Sequence, residues 1–502
     1  MRYRRLGASI VLVLLLGLVG SLAGPGWNPQ PLEQTIVPQA TETTIGSDAR
    51  TDPVGTYDVT TEVVEVPLEE GVTVEATIAA PVGAAGERPG VLFMHGAGTA
   101  THENFGDITR DLASAGIVTM VPDKRSDTYS TRDRDYVAMA EDYLDSFGVL
   151  REWPGVDASR VGVYGESEGA MSAPVAAVLQ DAVAFVVLVS APVLPIREQG
   201  AFAADNYLRD VGVPDRLLRA IPRLIGGSFP GGGFEYFDFD VRPYQQQLTQ
   251  PVLMVYGAAD TSMPIVQGAQ VLAEDLDAAD NDDYTIRYYA GANHGIRIED
   301  VLVPAFPRDL SRWVQGLPDT AGASPVIAGA EPVQSFRVDA VDRPRWYATG
   351  DMIVLTLVAG LGLLLVGGAG ALAVGIVRRR RRMQDHHGVG RLTAGLTMAT
   401  LATWVLFVAY LAGVASLALN YDHDAVLVQG GWLVVQGAGV LAAAMVVLTV
   451  VAGRRTWRDR GPRRGGGRAG LVASLLPVAS VVAGSLVLLT SAAYWGVYPT
   501  VL

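Results

Sequence analysis

Four long apolar runs occupy the last third of the chain, at about residues 352–377, 392–419, 425–452 and 469–492, and they limit its architecture more than any other feature. Each can cross a hydrocarbon core as a helix, which takes about 20 residues. In lipid the backbone must satisfy its own hydrogen bonds, so residues 351–502 are expected to form an all-α, four-helix transmembrane domain. Arginines fall in alternate loops: Arg378 to Arg382 between the first two runs, and seven from Arg454 to Arg468 between the last two. The middle loop, around Asn420–Asp424, has no Lys or Arg. The positive-inside rule then puts the arginine loops in the cytoplasm and residues 24–350 on the extracytoplasmic side of the cell membrane. No ionisable residue lies at the centre of a run, which favours anchoring or assembly over transport. Gly367, Ala371 and Gly375 recur at four-residue spacing, as close helix packing requires.

Residues 1–24 begin with Arg2, Arg4 and Arg5 and continue as an apolar run from Leu6 to Ala23. Ser21 and Ala23 fit the −3 and −1 positions of a cleavage site, so a signal peptide is favoured slightly over an uncleaved signal anchor. Either one would export the domain that begins after residue 24. Charge divides with hydropathy: residues 24–350 hold 22 basic and 47 acidic side chains, against 16 and 5 in the remainder. An outer domain so acidic is a poor partner for nucleic acid. The chain has no cysteine, which excludes disulfides, a thiolate metal site, a cysteine nucleophile and a lipid-modified cysteine. Lys124 is its only lysine.

Within the outer part, residues 25–55 are rich in Pro, Thr, Gln and Gly and are expected to be a flexible lead-in. Residues 56–317 alternate short β-rich runs (72–78, 91–94, 117–121, 161–164, 182–189, 252–256, 284–289) with helical segments. That alternation predicts an α/β domain built on a doubly wound, mostly parallel sheet. A Pro/Gly/aromatic stretch at about 191–250 interrupts it as a small cap insertion, and 318–350, rich in Ala, Pro, Gly and Val, is expected to be a stalk.

The chemistry centres on Gly165-Glu166-Ser167-Glu168-Gly169, which follows the strand Arg160–Tyr164 and precedes helix-compatible Ala170–Leu179. A serine on a sharp strand-to-helix turn needs small neighbours, and Gly165 and Gly169 provide them. Serine needs a base to become a nucleophile. Of three histidines in the outer domain, His95, His102 and His294, only His294 lies after the serine, in a loop behind the strand 284–289. Asp260 ends the strand 252–256, on the edge where open α/β sheets bind ligands. The chain order Ser167, Asp260, His294 is a nucleophile–acid–base order. His95-Gly96-Ala97-Gly98 follows the strand 91–94; its turn can supply one amide to an oxyanion, with the amide after the nucleophile supplying the other. Ala97 and Glu168 are the expected donors. His95, Gly96, Gly98, Gly165 and Gly169 are expected to be structural parts of these motifs.

These four motifs, in this order, resemble the α/β-hydrolase superfamily over about residues 57–317, and within it the dienelactone-hydrolase-like and prolyl-oligopeptidase-like branches. Dienelactone hydrolases themselves use a cysteine nucleophile, which this chain cannot supply. The resemblance implies a serine hydrolase that cleaves esters or related acyl bonds through an acyl-enzyme on Ser167, with no cofactor and no metal. The expected partners are a small-molecule acyl substrate and the lipid bilayer. A serine peptidase acting on short peptides is the alternative enzyme, and an inactive hydrolase-fold sensor or scaffold the alternative from another class. Tyr207, among the cap's aromatics, is a candidate for lining the acyl site, whereas Glu166 and Glu168 could repel anionic substrates or face solvent. His386, His387 and His423 have too few neighbours for a metal site.

Overall fold

The computed structural model describes residues 2–23, 29–130, 133–213, 218, 235–341, 345–380, 388–420, 424–459 and 468–499. They divide into two compact units. One comprises residues 29–203 and 234–340; the other comprises residues 1–28, 204–233 and 341–502.

The first unit is organised on a nine-stranded sheet. Its strands are β1 (Val59–Glu69), β2 (Val72–Pro81), β3 (Arg88–Met94), β4 (Val118–Pro122), β5 (Val156–Glu166), β6 (Val186–Val189), β7 (Val252–Gly257), β8 (Tyr284–Tyr289) and β9 (Ile327–Gly329). They lie in the order β1-β2-β4-β3-β5-β6-β7-β8-β9. The first two pairings, β1 with β2 and β2 with β4, are antiparallel and every later one is parallel. The central strands read as unbroken apolar runs because helices cover both of their faces. Val186–Val189 and Val252–Gly257 are buried at every position.

In chain order the described helices of nine residues or more are α1 (Arg2–Leu22), α2 (Gly106–Ser114), α3 (Tyr136–Arg151), α4 (Gly169–Leu179), α5 (Ile196–Asp210), α6 (Ile265–Ala278), α7 (Ala305–Gly316), α8 (Gly350–Arg380), α9 (Val389–Asn420), α10 (Gly431–Asp459) and α11 (Arg468–Tyr494). α3 starts on a side-chain cap, with Asp135 accepting from the amides of Val137 and Ala138. The parallel strands all point one way, so the loops after β3, β5, β6, β7 and β8 share one edge of the sheet.

Two boundaries differ from the sequence expectation. The lead-in is extended but tied down: Ile45 is buried in the core, the amide of Gln39 donates to Ile327 O, and Arg287 Nε donates to Thr43 O. The expected stalk contributes β9, paired in parallel with β8, so the sheet continues past residue 317. In both segments, backbone groups of an apparently patternless stretch complete the sheet edge, and such pairing leaves no periodic signature.

Among the described residues, the second unit contains five helices long and apolar enough to cross a membrane: 3–22, 350–377, 389–417, 426–459 and 475–494. Four match the expected runs, and the fifth is the N-terminal segment. Close helix approaches are made at glycines, as small-residue packing requires. A Cβ on Gly484 would lie 2.8 Å from Gly360 O, and one on Gly367 2.8 Å from Pro477 O. Gly375 has nothing within 4 Å, so the four-residue spacing contributes a contact at Gly367 and not at Gly375. Thr400 donates to the Ser485 hydroxyl at 3.1 Å, joining α9 to α11. His386, His387 and His423 lie outside the described residues.

Candidate active site

Ser167 follows the last residue of β5 and has φ 54°, a left-handed conformation rarely tolerated by a residue with a side chain. Its surroundings enforce the turn. A Cβ at Gly165 would come within 2.6 Å of Gly169 O, and one at Gly169 within 2.7 Å of the Met94 carbonyl carbon. The Ser167 amide is occupied by Val189 O at 2.9 Å, and α4 starts immediately afterwards.

Asp260 and His294 meet on the same edge. Asp260 ends the turn after β7, and His294 lies in the loop after β8. Backbone contacts lock the two loops together: Ala259 N donates to Ala292 O, and Gly257 passes so close to Ala292 O and Asn293 O that any side chain would collide. His294 Nδ1 lies 2.8 Å from Asp260 Oδ2, and the other Asp260 oxygen accepts from the Ser262 amide. The Asp260 side chain is fully buried, while a third of His294 is exposed. A carboxylate only accepts here, so Nδ1 carries the proton and Nε2 is left as the basic nitrogen. Burial works against the imidazolium, but the Asp260 hydrogen bond and charge, together with the charge of Glu166, outweigh it and raise His294 above its ordinary value. Ser190, after β6, fixes the loop by donating to His294 O at 2.6 Å.

The loop after β3 closes the arrangement. A Cβ placed on Gly96 would sit 3.4 Å from Ser167 Cβ and 3.9 Å from its Oγ, so this loop passes directly beside the serine. His95 is buried: its ring lies 2.7 Å from Pro122 O and stacks on Phe105, its amide donates to Tyr143, and burial lowers its pKa to about 4. It therefore buttresses the loop as a neutral ring. Among the described residues, neither the Ala97 amide nor the Glu168 amide donates a hydrogen bond.

The Glu168 side chain does not face solvent. It is 5% exposed, and its two oxygens accept four hydrogen bonds. Lys124 and Tyr129 donate to one oxygen, each at 2.8 Å; Arg134 at 2.5 Å and Tyr136 at 3.1 Å donate to the other. Burial opposes its charge, yet Lys124 and Arg134 hold the carboxyl below its usual range. Glu166 is different: burial raises it, and Tyr164 donates to it. Sequence reasoning missed Lys124, Tyr129 and Arg134. Only the uniqueness of Lys124 among the chain's basic residues marked any of them. Tyr207 lies in the second half of α5, which groups with the unit of apolar helices and not with the sheet. Among the cap's other aromatics, Phe229 and Phe234 lie outside the described residues.

Sheet order, the single crossing at β3/β4, and the loop placement together identify the architecture. The sheet domain has the α/β-hydrolase fold. No family model matches the chain, and no curated protein matches it. Solved structures of this fold do. An esterase from Pyrobaculum calidifontis is 20% identical over 53% of this chain and 87% of its own, with a TM-score of 0.38. A Klebsiella pneumoniae protein described as a dienelactone hydrolase is 16% identical over 52% and 98%, with a TM-score of 0.37. Dipeptidyl peptidase 4 from Porphyromonas gingivalis is 17% identical over 53% of this chain and 35% of the peptidase, with a TM-score of 0.37.

Proposed function

We propose that the protein is a membrane-anchored serine hydrolase that cleaves esters or related acyl bonds through an acyl-enzyme on Ser167. The observation that carries this reading is a serine held at positive φ between two obligatory glycines, on the same sheet edge as a buried-aspartate–histidine pair. His294 Nε2 takes the proton from Ser167 Oγ as Oγ attacks the acyl carbonyl. Asp260 holds the tautomer that leaves Nε2 basic and stabilises the imidazolium that forms. The amides of Ala97 and Glu168 receive the oxyanion, and the imidazolium returns the proton to the leaving group. Water, deprotonated by His294, then releases the acyl group.

The expected result is that a fluorophosphonate probe labels the protein in membrane fractions and that Ser167→Ala abolishes labelling at equal protein level. Labelling retained in the variant rejects the nucleophile. Among substrates, p-nitrophenyl esters are expected to turn over faster than aminoacyl p-nitroanilides. The reverse order would make the protein a peptidase, and inactivity on both would favour a scaffold.

The hydrolase domain is proposed to face the extracytoplasmic side, which the arginine loops support. The N-terminal helix is proposed to remain as a fifth span. Gly20 packs so tightly on the Ala493 carbonyl that a side chain there would clash, which points to a helix that stays in the bundle. Protease added to intact cells is expected to remove residues 29–340 while an N-terminal tag stays with the membrane fragments. A protected domain would reverse the orientation, and a tag missing from the mature protein would return the segment to a cleaved signal peptide.

A further inference from the structure

The buried charges around Glu168 take no part in the acyl-transfer steps, and their partners show a pattern. Three loops meet there: the one after β3, carrying Gly96, Ala97 and Gly98; the one after β4, carrying Lys124 and Tyr129; and the turn after β5, carrying Ser167 and Glu168. Lys124 Nζ donates both to Glu168 Oε2 at 2.8 Å and to Gly96 O at 2.5 Å. Tyr129 Oη donates to the same carboxylate oxygen and accepts from the Gly98 amide at 2.9 Å. Lys124 also anchors the far end of the loop, its amide donating to Ala100 O at 3.0 Å. Ala97 is thus bracketed on both sides by groups that end on the side chain of Glu168. Its amide and that of Glu168 donate to nothing among the described residues.

We propose that Lys124 and Tyr129 are positioning residues that act through Glu168 to fix the separation and aim of the Ala97 and Glu168 amides. The inference rests on the proposed acyl-transfer function. An oxyanion hole works by being preorganised, with donors already at the position the developing charge will take. Two amides on separate loops have no covalent reason to keep a fixed spacing. A shared carboxylate supplies one, because charge-assisted hydrogen bonds are short and directional, and burial strengthens them. Lys124, 2% exposed, stacked 4.2 Å from the Tyr129 ring and engaged by two acceptors, has little freedom to swing. A buried ion pair kept only for stability would not need to grip Gly96 O, and a hydroxyl kept only to neutralise Glu168 would not need to receive the Gly98 amide. Buried pairs are weak stabilisers in general, so a stabilising role alone explains little.

The test uses the full-length protein in detergent, with active sites titrated by fluorophosphonate so that turnover is counted per competent site. Tyr129→Phe removes one hydroxyl from a packed ring, and Lys124→Met removes the ammonium. Each is expected to lower kcat on a p-nitrophenyl ester about 10- to 100-fold with KM within about twofold, since the loss falls on the transition state and not on substrate binding. Each is also expected to weaken a trifluoromethyl ketone, which forms a tetrahedral oxyanion on serine, by the same factor as kcat/KM. Lys124→Met leaves Glu168 short of a partner, and if it does not fold, Tyr129→Phe decides alone. If variants that fold lower only the titrated fraction or the unfolding temperature, with kcat per site unchanged, the positioning role is overturned. Should Ser167→Ala keep its labelling, the acyl-enzyme reading falls; if Ser167→Ala loses labelling while Tyr129→Phe turns over at full rate, only this inference falls.

Discussion

Asp260→Asn is expected to cut kcat by about 10⁴-fold while the protein folds and binds substrate as before. Asp260 does two things for His294. Its Oδ2 accepts the Nδ1 proton at 2.8 Å, and its buried charge raises the pKa of the ring. An amide keeps the shape but can turn its NH₂ toward Nδ1. The ring then takes the opposite tautomer, with the proton on Nε2 where Ser167 needs a base. The second oxygen of Asp260 accepts the Ser262 amide, and an asparagine that serves this bond with its oxygen presents its NH₂ to the histidine. The pH profile should move as well. In the wild type His294 must be neutral to act, and its pKa is raised from 6.5, so activity is lost on the acid side beginning above that value. Removing the aspartate charge takes away part of the increase, so the acid limb of the residual activity shifts to lower pH. Steady-state kinetics on titrated enzyme from about pH 5 to about pH 9 would measure both effects. A variant with kcat within about tenfold of wild type would remove Asp260 from the catalytic group.

The sequence made the sheet's interior legible and its margins obscure, for a physical reason. Strands such as Val186–Val189 are buried on both faces, so nearly every position must be apolar, and the run stands out. β1, at the edge, is exposed over most of its length, and its Thr/Glu/Val mixture carries no burial signature. β9 is three residues of backbone pairing inside an Ala/Pro/Gly-rich stretch. The candidate site followed the same division. Ser167, Asp260 and His294 could be singled out because each lies just beyond a buried strand and the outer domain has so few histidines. The Glu168 network could not, because Lys124, Tyr129, Arg134 and Tyr136 come from a loop and a helix start whose only shared property is that they converge in space. At Glu168 the turn motif singles out the amide, whereas the place of the carboxylate depends on long-range packing that the sequence does not display. The described residues hold five candidate spans against the four expected, since a basic-flanked apolar run at the N-terminus reads the same whether it leaves or stays.

The second large effect is structural and tests how the elbow is built. Gly169→Ala adds one methyl group, yet it is expected to destabilise the hydrolase domain by about 3 kcal/mol, the upper part of the range for overpacking a filled site. The added Cβ would press on Met94 O and stand 2.7 Å from Met94 C and 2.9 Å from His95 O. These are backbone atoms at the end of β3, held in register between β4 and β5, so no side chain can rotate to make room. Relief requires α4 and the end of β3 to separate, which drags the Ala97 amide away from Ser167. A displacement of about 1 Å in such a site lowers turnover about 100-fold, so stability and kcat should fall together. Gly148→Ala provides the contrast. It lies inside α3 with nothing within 4 Å of the added carbon, and alanine is expected to stabilise the helix by about 0.5–1 kcal/mol without touching kcat. Thermal unfolding in detergent, read beside turnover per titrated site, separates the two. If Gly169→Ala unfolds with the wild type and turns over at the same rate, the tight passage of α4 against β3 is not what holds the oxyanion loop beside the nucleophile.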